Sequence, residues 1–81
     1  VTYQALWGLD AYRDYQRLPE HARAEVARCV IDAQHDPYTA STSYGVDDGI
    51  MRTLAYGYAV LAILIDANHK AFTVVRLDYV G

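Results

Sequence analysis

The chain is short of cysteine, of positive charge and of long apolar runs, and each shortage excludes something. Its single cysteine, Cys29, has no partner for an internal disulfide. So small a chain without covalent staples belongs in a reducing compartment, and a cytoplasmic location is expected. Seven Lys and Arg stand against ten Asp and Glu, a net charge of −3. The molecule as a whole therefore lacks the field that draws a protein to nucleic acid, and only a local basic patch would supply one. The longest apolar run, residues 58–65, falls far below the roughly 20 residues of a membrane-spanning helix, and the first residues lack the charged and apolar regions of a secretory signal. Gly45, Gly49 and Gly57 are scattered through turns and form no phosphate-cradling loop. His21, His35 and His69 lack the spacing of a metal-binding pair. Neither cofactor nor metal is expected.

What is present fits one small domain, residues 1–81, with 53% apolar residues and a thin margin over conformational entropy to which a permanent partner would add. Residues 1–7 alternate loosely and are rich in strand formers, which predicts a strand ending near Gly8. Asp10 suits the N-cap of a short helix through Arg17, with Leu9, Tyr12 and Tyr15 or Gln16 facing inward. Pro19 stops that helix and suits the first turn of the next. Over residues 20–34, Ala22, Val26, Cys29, Val30 and Ala33 fall on one helical face. Arg23, Glu25, Arg28 and Asp32 lie on the other, where Glu25 with Arg28 and Arg28 with Asp32 have ion-pair spacing. Asp36-Pro37 ends the helix, because the residue before proline is pushed out of the α region. Residues 38–49 read as a polar, turn-rich connection.

Strands are expected at 50–56, 58–66 and 71–80, broken at Gly57 and by a turn at 67–70. The middle one is apolar on both faces, which fits a central strand covered by helices on one side and by something else on the other. The fold class is therefore α+β, in the order β-α-α-β-β-β, with two helices on one face of a small antiparallel sheet.

Four short patterns then fall into register. Ala11-Tyr12-Arg13-Asp14-Tyr15-Gln16-Arg17-Leu18-Pro19 puts a leucine just before the second helix, and Asp36-Pro37 follows that helix. Arg52-Thr53-Leu54 gives a basic residue two places before a strand leucine, and Gly57-Tyr58 opens a hydrophobic strand that ends in Ile65-Asp66. In this order and spacing they resemble the RelE/ParE toxin superfamily, the poison halves of toxin–antitoxin pairs, over nearly the whole chain. The resemblance implies a β-α-α-β-β-β fold with a curved sheet, in agreement with the periodicity. RelE-like members cut messenger RNA in the ribosomal A site, ParE-like members poison DNA gyrase, and both are silenced by an antitoxin whose C-terminal segment wraps the toxin. A cognate antitoxin is thus the implied partner, with ribosome and mRNA, or gyrase, as the target.

Cutting RNA by attack of a 2′-hydroxyl needs a proton acceptor, cations for the charge growing on the phosphate oxygens, and a proton donor for the leaving oxygen. RelE-like toxins meet this with Lys, Arg and Tyr on the sheet. By that resemblance Arg52 is a candidate phosphate clamp, Arg76 a second phosphate contact, and Tyr79 a stacking or proton-relay residue. For Arg52 the competing role is a solvent-facing strand arginine paired with Asp47 or Asp48. The family arginine after Gly-Tyr is replaced by Ala59, or by Val60 in the alternative register, and the chain stops at Gly81, where members often continue into a basic stretch. The leading expectation is RelE-like mRNA cleavage, which requires Arg52 and Arg76 to gather on one face of the sheet. The alternatives are a ParE-like toxin that needs no such cluster and a degenerate homologue that keeps only the antitoxin surface. Cys29 is expected as a small buried hydrophobe and most tyrosines as core rim or interface.

Overall fold

A computed structural model describes residues 2–43 and 49–80. The elements run β1 (Gln4–Trp7), α1 (Leu9–Arg17), α2 (Glu20–His35), α3 (Pro37–Ala40), β2 (Ser41–Ser43), β3 (Met51–Tyr56), β4 (Ala59–Asp66) and β5 (Ala71–Tyr79). The five strands form one sheet in the order β1-β5-β4-β3-β2. All neighbours are antiparallel except β1, which lies parallel to β5. The sheet is therefore mixed where a wholly antiparallel one was expected. A parallel pair needs a long crossover, and the helices between β1 and the later strands supply it.

The helix α2 follows the sequence closely. Ala22, Val26, Cys29, Val30 and Ala33 are its buried residues, and Arg28 pairs with Asp32 at 3.4 Å on the outer side. α1 departs from expectation. Gly8 occupies its N-cap and Asp10 lies within the first turn. Ala11 is buried, whereas Leu9 and Tyr12 stay exposed. The inward row is Ala11, Tyr15 and Leu18, and the last two pack against the core.

Residues 38–43, read as part of a connection, carry α3 and β2. Asp36 ends α2 and also begins α3. Its carboxylate accepts hydrogen bonds from the Tyr38 and Thr39 N–H groups, each at 3.2 Å, and from the Thr39 hydroxyl at 2.6 Å. Pro37 takes the first helical position, where its missing N–H costs nothing. These bonds, that from the Thr39 side chain foremost, hold the Asp36 carboxyl below its usual range. The expected partners of Arg52, Asp47 and Asp48, lie outside the described residues, as does Gly45.

Side chains alternate across each strand, and paired residues share a face. Leu54, Leu61, Ile63, Phe72 and Val74 point toward the helices and are at most 1% exposed. Between β3 and β4, Gly57 and Tyr58 close a two-residue turn with Gly57 at φ 59°, the arrangement in which a left-handed first residue favours glycine. A β-carbon at Gly57 would also meet the Glu25 carboxylate at 3.0 Å. No helix among the described residues is long and apolar enough to cross a membrane.

Candidate functional site

Arg52, Arg76 and Tyr79 are not brought together. Arg52 pairs across the sheet with Ile63, whose side chain is buried toward the helices, so its own side chain leaves β3 on the helix side. There it fastens α3 and β2. Its Nε donates to the Ser41 hydroxyl at 2.9 Å, and one terminal nitrogen donates to the Ser41 and Tyr38 carbonyls at 2.9 and 3.1 Å. Its guanidinium carbon lies 5.9 Å from the centre of the Tyr38 ring. The Ser41 hydroxyl in turn donates to the Pro37 carbonyl. A planar fork with fixed donors suits this work, which a lysine would not reproduce.

Arg76 sits opposite Ala62 on β4, on the face away from the helices. It is exposed and its Nε donates to Asp78 at 3.2 Å. The requirement that Arg52 and Arg76 share a face is not met, because one residue of each strand alternation separates them. Tyr79 lies opposite Ala59, on the helix side, where it hydrogen-bonds Glu25 and stands edge-on to His21 and Tyr58 at 6.4 and 6.5 Å. Glu25 also accepts from the Tyr58 N–H at 3.4 Å, so it ties the β3–β4 turn to α2 instead of pairing with Arg28. Partial burial first, then the Glu25 hydrogen bond and charge, hold the Tyr79 hydroxyl above its usual range. It stays protonated at neutral pH, a donor and not a base.

The two positions at which the resemblance implies an arginine lie on opposite faces of β4. Ala59 faces the helices and is fully buried, while Val60 is on the open face and 38% exposed. A basic side chain at 60 would reach that face; the one present is apolar. Of the strand residues described on the open face, Arg76 is the one cation.

Beside Arg76, Asp66 and Asp78 the open face carries exposed apolar side chains. Leu6, Val60 and Leu64 are exposed on it, with Met51 and Thr53 beside them on β3. Toward the β4–β5 turn it deepens into a groove of about 790 Å3 lined in part by Gln4, Leu6, Leu64, Asp66, His69 and Thr73. That volume falls in the range of ligand sites. The residues missed by sequence reasoning are therefore Leu6 and Leu64. For Leu64 the signal is the double-sided apolarity of the middle strand, which implies a cover on its second side; Leu6 lies on β1, outside that strand.

Two helices against one face of a five-stranded sheet, with aliphatic side chains exposed on the other, make a RelE-like toxin fold. The structural comparisons are consistent along nearly the whole chain. The RelBE2 toxin–antitoxin complex of Mycobacterium tuberculosis contains a chain that matches with a TM-score of 0.88 at 22% identity, over 99% of this chain and 93% of that one. The isolated E. coli RelE toxin matches at 0.80 and 12% identity, over 98% and 85%. The archaeal RelE–RelB complex of Pyrococcus horikoshii matches at 0.74 and 11%, over 98% and 96%. No protein-family model matches the chain, and no curated protein sequence does. The likeness is one of fold.

Proposed function

We propose that the chain is the toxin component of a toxin–antitoxin pair and that its antitoxin covers the open face of the sheet. The observation that carries this reading is the row Leu6, Leu64 and Val60, left exposed on a RelE-like sheet. Two of the similar structures are described as complexes of toxin with antitoxin, RelBE2 and RelE–RelB. A segment that binds only the folded chain also adds stability by mass action, about 2.7 kcal/mol at a hundredfold excess over Kd.

As to mode of action, the separation of the two arginines favours inhibition by binding a protein target; the ParE-like mode, for which the resemblance implies DNA gyrase, is of that kind. Arg52 is engaged on the helix side and Arg76 stands apart from it, whereas phosphoryl chemistry needs charges that converge. The second reading is RelE-like, ribosome-dependent mRNA cleavage, supported by likeness to RelE toxins, with Arg76 as the phosphate contact on the open face. Induction of the chain in growing cells, with primer extension on translated mRNA, separates the two. Growth arrest without cuts, relieved by gyrase overexpression, is expected; codon-phased cuts favour the second reading. An adjacent reading frame whose product relieves arrest supports the pairing itself, and a chain that causes no arrest is a homologue keeping only the antitoxin surface.

A further inference from the structure

We propose that the groove beside the β4–β5 turn seats a protein segment that lays aliphatic side chains on Leu6 and Leu64 and brings one lysine or arginine to Asp66. The proposal rests on the toxin–antitoxin reading, the segment being part of the antitoxin.

The charge of the groove carries the argument. Among its described lining residues there is one carboxylate, Asp66, and no lysine or arginine. The Asp66 carboxylate is held in place by its own turn, where one oxygen accepts from the His69 N–H at 3.2 Å and the other lies 2.7 Å from the His69 Nδ1. Each oxygen keeps a lone pair for a further donor, and a fixed acceptor costs little additional ordering on binding. Leu6 and Leu64 supply the apolar floor, and Gln4 and Thr73 supply neutral polar groups for backbone hydrogen bonds. A nucleic-acid strand laid in the groove would meet no lysine or arginine among the described lining residues to offset its phosphates and would be repelled by Asp66. A second copy stacked face to face would have Arg76 to offer, which is already paired with Asp78. A basic, aliphatic peptide complements what is there.

Selection of a random twelve-residue peptide library, displayed on phage, against the immobilised full chain tests this. Asp66→Asn and Asp66→Lys variants are selected in parallel. Asp66→Asn retains an acceptor for the His69 N–H, and unchanged melting of both variants verifies that the turn and fold survive. The expected result is enrichment of peptides with spaced aliphatic residues and a lysine or arginine. The synthetic winner should bind Asp66→Asn about tenfold more weakly, and Asp66→Lys should enrich aspartate or glutamate instead. No enrichment, acidic winners on the unaltered chain, or the same winners on all three proteins overturns the proposal. So does displacement of the winning peptide by a single-stranded RNA twelve-mer, or a dimer that Leu64→Asp dissolves. Growth arrest relieved by the neighbouring-frame partner equally well in Asp66→Asn and Leu64→Asp sinks the groove and leaves the toxin–antitoxin reading standing. The expected selection in a chain that arrests nothing and has no such partner sinks that reading alone.

Discussion

On the helix side of the sheet Leu61, Ile63 and Phe72 are at most 1% exposed, whereas on its other face Val60 and Leu64 of β4 and Leu6 of β1 keep 38 to 44% of their surface in water. Composition does not distinguish the two rows, since both are aliphatic or aromatic. What differs is that α1 and α2 close over one, whereas no described helix closes over the other. The covered row drives folding, because burial of an aliphatic side chain is worth about 1.5–3 kcal/mol. The exposed row contributes less to folding, and on the reading proposed above its burial awaits the partner.

The comparison breaks if the rows respond alike to substitution. Leu61→Ala should lose about 2–5 kcal/mol by urea unfolding, because it leaves a cavity between sheet and helices. Leu64→Asp on the open face should change stability by no more than about 1 kcal/mol while abolishing association with the antitoxin. Equal losses from the two would mean that the open face supports the fold as well. Next in size is Arg52→Ala, expected to cost about 1–3 kcal/mol by the same measurement, since it removes the donors that satisfy Ser41 and Tyr38. Arg52→Lys should recover only part of that loss.

Two titrations sharpen the contrast further. The Cys29 thiol on the covered side is pushed up from 9.0 to about 11, by burial first and then by the charge of Asp32. Its folded pKa lies above the unfolded one, so its contribution is complete below about pH 9 and declines as pH rises toward 11. Alkylation by iodoacetamide at pH 8 should accordingly follow unfolding and not the native state. At the acid end the signs reverse. Asp36 and Asp66 are held below the usual carboxylate range, by hydrogen bonds from Thr39 and from His69 respectively. Their stabilisation is present above the unfolded pKa and is lost as pH falls through the lowered folded values. The Asp36→Asn variant should show a flatter stability profile below pH 4.

Much of this was legible in the sequence where periodicity has one meaning. The buried face of α2 was read residue by residue, and β3, β4 and β5 were placed to within a residue or so, because hydrophobic spacing in a regular element reports burial directly. α1 was less legible, since an aromatic-rich turn such as Tyr12 and Tyr15 can pack at a rim: Trp7 stands 6.0 Å from Tyr12 and 5.1 Å from Tyr15 in a half-buried aromatic cluster at the edge of the core. Asp36-Pro37 reads as a stop, although the same pair is a strong helix start, with Thr39 completing the cap. The parallel placement of β1 has no local signal, because strand direction depends on where the chain returns. That Arg52 and Arg76 lie on opposite faces was not legible for a related reason. Arg52 and Arg76 both look like exposed strand cations, and which face each occupies depends on a pairing register that includes an irregularity between Ala62 and Ile63, opposite β5, where Val75 is the extra residue.

Arg76→Ala has the smallest expected effect on stability and separates the functional readings most sharply. Its bond to Asp78 joins two exposed side chains, a kind of pair worth about 0–1 kcal/mol, so unfolding by urea should barely register the change. The same guanidinium is the one strand cation described on the open face. If the chain acts by cutting mRNA, no other strand residue there can hold the phosphate as charge develops, and the codon-phased cuts should fall by orders of magnitude, as loss of a transition-state contact worth about 3–4 kcal/mol implies. If it acts by binding a protein, Arg76→Ala should leave growth arrest nearly intact, while Leu64→Asp, on the same face, removes antitoxin relief. Arrest that survives Arg76→Ala without cuts therefore excludes the nuclease reading.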